Sequence, residues 1–232
     1  MSEIERLLEE QADYYRERAP EYDDWWLRRG RYDHGPDANA RWVADASLLE
    51  VALDRFKPEG DVLELACGTG LWTRRLVTSA HSILGVDGSS EMLELNRARL
   101  GVDPRVEYLQ ADLFEWEPNR LFDVCFFSFW LSHVPAERFA TFWEKVGRAL
   151  APEGRVFFLD SSRSDLASAV DHRLPARSEQ TMLRRLADGR EYQIVKRFYE
   201  PDLLRQQLAE LGWSAEIHTT PEFFLYGQAT LG

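Results

Sequence analysis

The stretch "VLELACGTGLWT", residues 62–73, decides the fold. Residues 62–65 suit a buried strand. Residues 66–70 carry two glycines through a turn, and an apolar segment follows. Glycines allow a tight turn and let a backbone approach a ligand closely. In a doubly wound sheet, ligands sit beyond the carboxyl ends of the strands, near the switch point. A full dinucleotide fingerprint needs a third Gly or Ala three positions on. Thr73 stands there, preceded by bulky Trp72, so a pyrophosphate grip is not supported. No Gly-Lys-Ser/Thr follows the loop, so the phosphate-loop pattern is absent as well.

Outward from this loop, extended and helical patterns alternate. The reading is strand 62–65, helix 71–80, strand 82–86, helix 89–100 and strand 106–110. Residues 124–127 form a strand with no polar alternation, as expected for one buried on both faces. A helix over 135–150, a turn at "PEG" (152–154) and a strand over 156–159 follow. This alternation predicts a mostly parallel sheet with helices on both faces.

The rhythm then changes. Asp188-Gly189 lies between two extended runs within 180–200 and signals a hairpin. Pro201 suits the first turn of a helix that Gly212 stops. Two last strands, 213–219 and 223–231, are close enough in sequence to be antiparallel. Before the sheet, Ser2 and Glu5 have capping-box spacing for a helix running to about residue 19. Residues 21–37 read as an ordered aromatic loop, and residues 37–56 as a second helix.

The fold class is therefore α/β. The expectation is a Rossmann-like seven-stranded sheet, mostly parallel with an antiparallel last strand, plus an N-terminal helical segment and a hairpin insertion after strand five. The chain reads as one domain over 1–232: an N-terminal helical segment 1–36, a sheet core 37–160, an insertion with the hairpin 161–200, and C-terminal helix and strands 201–232.

Bulk composition narrows the partners. The chain has 232 residues, 44% of them hydrophobic, and a formal net charge of -12. That acidic balance opposes general nucleic-acid binding, which needs clustered Lys and Arg. It also opposes docking on an anionic membrane, and no apolar run approaches a membrane span. The N-terminus is acidic and helical in pattern, unlike a signal peptide. Cys67 and Cys125 sit in apolar contexts and read as free thiols of a cytoplasmic protein. A monomer or homodimer is expected.

Asp87 ends the second strand, where a carboxylate accepts hydrogen bonds from ribose hydroxyls. On its own it would serve equally well as a helix cap. Glycine loop plus acidic strand end points to a nucleoside, and the missing pyrophosphate grip points to one without a diphosphate. After the third strand, Asp112 can accept from an adenine amino group and Leu113 can pack on the ring. Taken alone, Asp112 reads as a turn residue.

At this point the residues carry a resemblance. "VLELACGTG", "VDGSSEML", "ADLF", "FDVCFFSFWLSHVP" and "LAPEGRVFFLDS" resemble the successive motifs of class I S-adenosylmethionine-dependent methyltransferases. The resemblance is firm over residues 50–160 and loose beyond. The family signature is an acidic residue followed by three alternating glycines. Glu64 matches the acid, Ala66 replaces the first glycine, and Gly68 and Gly70 match the others. The resemblance implies S-adenosyl-L-methionine as cofactor and S-adenosyl-L-homocysteine as product. It places the methionine part over residues 66–70, with Glu64, Cys67 and Trp72 counted in the cofactor set. It places the ribose on Asp87, with Gly88, Ser89 and Met92 close by, and adenine by Asp112 and Leu113. Ser128 and Phe129 would flank the sulfonium, and Tyr15 and Tyr22 fit a lid over the cofactor.

Displacement from a sulfonium needs chiefly alignment, which is worth roughly 7–11 kcal/mol. A base is needed only if the acceptor holds a proton. His133 is the catalytic candidate for that role, set against a reading in which it merely belongs to the cofactor shell. Trp26, Trp130, His133 and Asp160 are the candidate substrate residues. Tyr14, Trp25, Arg31 and His34 are further candidates for the pocket. The five histidines have no metal-ligand spacing, and Ser161 and Ser162 lack a nucleophile elbow. An aromatic roof suits a small-molecule methyl acceptor, with transfer to O or N. A nicotinamide-dependent oxidoreductase and a non-catalytic cofactor-binding protein are the alternatives.

Overall fold

The computed structural model describes residues 2–232. The first helix, α1 (Glu3–Arg18), opens with the expected capping box, in which Ser2 Oγ accepts from Glu5 N–H and Glu5 accepts from Ser2 N–H. Residues 21–37, expected as a loop, contain the short helix α2 (Tyr22–Trp26) and a 3-10 turn. They fold because their aromatics pack: Trp25 meets Trp42 edge-on at 5.1 Å and Phe129 at 4.7 Å between ring centroids. Helix α3 (Pro36–Phe56) buries Trp42, Leu49, Leu53 and Phe56 as one stripe.

Then come β1 (Gly60–Leu65), α4 (Thr73–Leu76), β2 (Ala80–Asp87), α5 (Ser90–Leu100), β3 (Val106–Gln110) and β4 (Phe122–Ser128). These are followed by α6 (Phe139–Ala149), β5 (Leu150–Ser161), β6 (Thr181–Arg185), β7 (Glu191–Val195), α7 (Pro201–Glu210), β8 (Trp213–Thr219) and β9 (Phe224–Leu231). The expected helix over 71–80 shrinks to the single turn of α4. The amides of Thr78 and Ser79 donate to the carbonyls three residues back, Arg75 and Leu76, so the chain tightens into a turn and the helix stops. The "PEG" turn is absorbed into β5 as an irregularity: pairing jumps from Phe122↔Leu150 to Val124↔Arg155, with Glu153 at φ 70°.

The main sheet has seven strands in the order β3-β2-β1-β4-β5-β9-β8. The pairs from β3 through β5 are parallel, and β9 runs antiparallel to both β5 and β8. Alternate residues feed two cores. On one face Leu63, Cys125 and Phe158 pack with Phe142, Trp143 and Leu204. On the other Val62, Phe126 and Leu159 pack with Trp42, Leu53 and Leu76. Fully burying each such large side chain contributes roughly 1.5–3 kcal/mol. The strand order reverses between β1 and β4, so their carboxyl ends open a crevice there.

Strands β6 and β7 form a separate hairpin around Asp188-Gly189. Helix α1 lies on it: Gln11 accepts from Val195 N–H at 2.9 Å and donates to the His133 carbonyl at 3.2 Å. Among the described residues, no helix is long and apolar enough to cross a membrane.

Candidate active site

The loop after β1 keeps an unusual backbone. Ala66, Gly68 and Gly70 all have positive φ, at 53°, 52° and 83°. Its two glycines do different jobs. A Cβ on Gly70 would lie 2.5 Å from Asn96 Oδ1, so Gly70 makes room for Asn96. A Cβ on Gly68 would meet only the Ala66 carbonyl, in ordinary contact at 3.9 Å, and the residue lines a cavity. Asn96, fully buried on α5, holds the loop by donating to Thr73 Oγ1 at 2.9 Å and to the carbonyls of Cys67 and Gly68 at 3.3 Å. Sequence reading missed Asn96; its signal was a lone amide on the buried face of a helix.

Asp87 accepts the Gly68 N–H on one carboxylate oxygen and the Ser89 N–H on the other, both at 2.9 Å. The side-chain cap of α5 belongs to Ser89, whose Oγ accepts from Met92 N–H. Each Asp87 oxygen keeps a lone pair, and the residue lines the cavity. Burial raises its pKa, against the lowering effect of the backbone N–H groups. Glu64, behind the loop, is pushed up to about 8, first by burial and then by the Asp87 charge, against a Thr73 hydrogen bond. It is therefore mostly neutral near pH 7.

The cavity measures about 450 Å³, within the range of sites for molecules of nucleoside size. Ala66, Gly68, Asp87, Gly88, Ser89 and Met92 line one end. Asp112 and Leu113 line it after β3, and Ser128, Phe129, Trp130 and His133 after β4. The indole N–H of Trp130 is buried without a partner there, a donor awaiting an acceptor. Paired lone pairs on Asp87, an open glycine backbone and an unpartnered donor fit a polar nucleoside. Tyr15 and Tyr22 close the roof, together with Glu5, Leu8 and Arg16 of α1, which the sequence reading did not anticipate.

Several expected residues lie off this cavity. Glu64, Cys67 and Gly70 support the loop from behind. Trp72 packs on Phe126 and Trp26 in the core, and Trp26 itself sits among Trp25, Trp42 and Trp72. Asp160 is buried, accepting the N–H groups of Ser132 and Ser161. Arg31 pairs with Asp171, and His34 meets the Ser168 carbonyl.

A second, much smaller cavity of about 30 Å³ adjoins the first through Tyr15, Tyr22, Phe129 and His133. Arg18, Arg184 and Lys196 also line it, and none was anticipated. Their codes resemble any surface cation, and only folding brings α1, β6 and the residue after β7 together.

His133 lies at the shared wall. Its Nδ1 is 2.7 Å from the Val195 carbonyl, which only accepts, so the proton sits on Nδ1. Nε2 is then an acceptor for the Tyr15 hydroxyl at 2.6 Å. Burial holds the His133 pKa well below its ordinary value, and Lys196, Arg184 and Arg18 push the same way. The imidazole is held neutral and is a poor proton acceptor.

Comparison with known proteins agrees with this geometry. A family model described as a methyltransferase domain matches residues 62–154. Demethylmenaquinone methyltransferase of Clavibacter sepedonicus is 34% identical over 102 residues, covering 44% of this chain and 41% of that protein. Trans-aconitate 2-methyltransferase of Azoarcus sp. (strain BH72) is 36% identical over 109 residues, covering 46% and 40%. The chain thus spans about two fifths of the length of either curated relative. The structure of DhpI with SAH superposes at a TM-score of 0.76, with 39% identity and 97% of both chains covered. A DhpI-SAM-HEP complex gives 0.77 at the same identity and coverage.

Proposed function

The chain belongs to the class I S-adenosylmethionine-dependent methyltransferases, and from that premise we propose that it methylates an O or N atom of a small molecule held beneath α1. The observation that carries this reading is the single cavity joining Gly68, Asp87, Asp112 and Trp130 to a neck at Tyr15, Phe129 and His133. When bound, S-adenosyl-L-methionine supplies a methyl group already activated on sulfur and leaves as S-adenosyl-L-homocysteine. Family membership displaces the nicotinamide-dependent alternative.

The residues then have separate tasks. Asp87 accepts the ribose hydroxyls with its remaining lone pairs. Asp112 and Leu113 hold the adenine, and residues 66–70 lie under the methionine part. Tyr15, Tyr22, Phe129 and His133 form the neck, align the acceptor and exclude water. The roof formed by α1 and the hairpin suits a small acceptor better than a polymer.

The test is transfer of labelled methyl from S-adenosyl-L-methionine to a panel of small acids, phenols and amines. Label appearing in at least one small molecule supports the reading. Label in none of them, with transfer to protein or nucleic acid instead, sinks it.

A further inference from the structure

Lys145 stands on the buried side of α6, which otherwise feeds Phe142, Val146 and Ala149 into the core. It is only 4% exposed and does not line the large cavity. An ammonium in such a place is costly unless it is paired or hydrogen-bonded. Its nearest carboxylate, Glu117, is 3.8 Å away and is taken by Arg148 at 2.6 Å. Backbone satisfies the charge instead. Lys145 Nζ donates to the Phe114 carbonyl at 2.7 Å and to the Leu113 carbonyl at 3.3 Å.

Both carbonyls belong to the turn after β3, where Asp112 and Leu113 line the cavity. In that turn Asp112 Oδ1 accepts from the Phe114 N–H at 2.8 Å. The peptide unit between Leu113 and Phe114 is thus gripped at both ends, its oxygen by Lys145 and its N–H by Asp112. A peptide unit is planar, so holding its oxygen fixes the direction of its N–H. A cation on the oxygen also polarises the unit and strengthens the N–H as a donor. The hold of Lys145 is therefore passed to the Asp112 carboxylate, whose other oxygen accepts no hydrogen bond among the described residues. A methionine would fill the same space but donate nothing, leaving two carbonyls without their partner. Leu113 and Trp116 would still anchor the turn in the core. Losing the ammonium then loosens the aim of one peptide without unfolding the turn.

We propose that Lys145 is a positioning residue for the purine base: by clamping the Leu113–Phe114 peptide it aims Asp112 at the exocyclic amine, and so sets a preference for adenine over a 6-oxopurine. This rests on the methyltransferase reading above and on its placing of adenine by Asp112 and Leu113. The amine donates to a carboxylate, whereas a 6-oxo group only accepts and faces the carboxylate unfavourably. A site built to hydrogen-bond one group rejects an analogue lacking it, but only while the partner is held in place.

The test is titration calorimetry of the full chain with two probes, S-adenosyl-L-homocysteine and its 6-oxo analogue S-inosyl-L-homocysteine. The unaltered protein should bind the adenosyl probe at least about tenfold more tightly. Lys145→Met should weaken the adenosyl probe by about tenfold and leave the inosyl probe within about twofold, so that the preference collapses. Lys145→Arg, which keeps the charge and the donors, should retain the preference. Lys145→Gln, which loses the charge, replaces the methionine variant if that one does not fold, and the same collapse is expected. In Asp112→Ala the aimed group is gone, so adding Lys145→Met should change neither affinity. A merely structural role would lower both affinities together, in Asp112→Ala as well. That result, an unchanged preference in Lys145→Met, or equal binding of both probes by the unaltered protein overturns the proposal. Failure of S-adenosyl-L-homocysteine to bind the unaltered protein overturns the methyltransferase reading instead.

Discussion

The Tyr15 hydroxyl and His133 Nε2 meet at 2.6 Å, tying the helix that roofs the site to the turn after β4 that walls it. The contact spends the one imidazole nitrogen free to take a proton, since Nδ1 faces the Val195 carbonyl. His133 is thereby a clasp between roof and wall, and we expect it to position rather than to take a proton.

This has a kinetic consequence. A general base contributes typically ~10²–10⁴-fold to rate. His133→Asn should lower turnover by less than about tenfold, because only positioning is lost. Since the His133 pKa lies well below the ordinary 6.5, turnover should show no acid limb near that value. A pH–rate profile with a limb between about 6 and 7 that vanishes in the variant would restore the base assignment.

Asp23 on α2 accepts the Thr69 hydroxyl at 2.6 Å and pairs with Arg99, which also donates to Thr69. The lid is thus latched to the glycine loop and to α5 at one point. Asp23→Ala should cost about 1–2 kcal/mol of stability, given a partly shielded charged hydrogen bond. It should also speed release of S-adenosyl-L-homocysteine by about tenfold, read by stopped-flow tryptophan fluorescence. An unchanged release rate would mean that the lid does not gate the cofactor.

Glu64 makes stability depend on pH. Its folded pKa of about 8 exceeds its ordinary 4.5. The native state therefore holds a proton that the unfolded state has lost, and this contribution is full below pH 4.5 and gone above about 8. Glu64→Gln should abolish the decline across that window, on the order of several kcal/mol. Thermal melts at stepped pH without cofactor check it; parallel curves for the two proteins would refute the assignment.

The parallel core and its ligand edge were legible because they rest on local patterns. Residues 62–65, 82–86 and 124–127 are short apolar runs with turns behind them, and each became a strand. That Asp87 and Gly68 line the cavity was legible because a strand end and a tight turn fix where they point. Helix α4 was not, because the backbone tightening at Thr78 and Ser79 that ends it leaves no mark in a helical window. Trp26 and Trp72 were misplaced because an indole fills a core as readily as a pocket wall. The cationic cavity was invisible for a deeper reason. Arg18, Arg184 and Lys196 are separated by up to most of the chain, and no spacing rule links them.

The central claim is that the cavity over the glycine loop holds a sulfonium nucleoside by its ribose on Asp87. Titration calorimetry of S-adenosyl-L-homocysteine against the unaltered protein and Asp87→Ala tests it most directly. One equivalent should bind the unaltered protein, and the substitution should weaken it at least about tenfold, the loss of two charge-assisted hydrogen bonds. No heat from the unaltered protein, or equal affinity in both, would contradict the account.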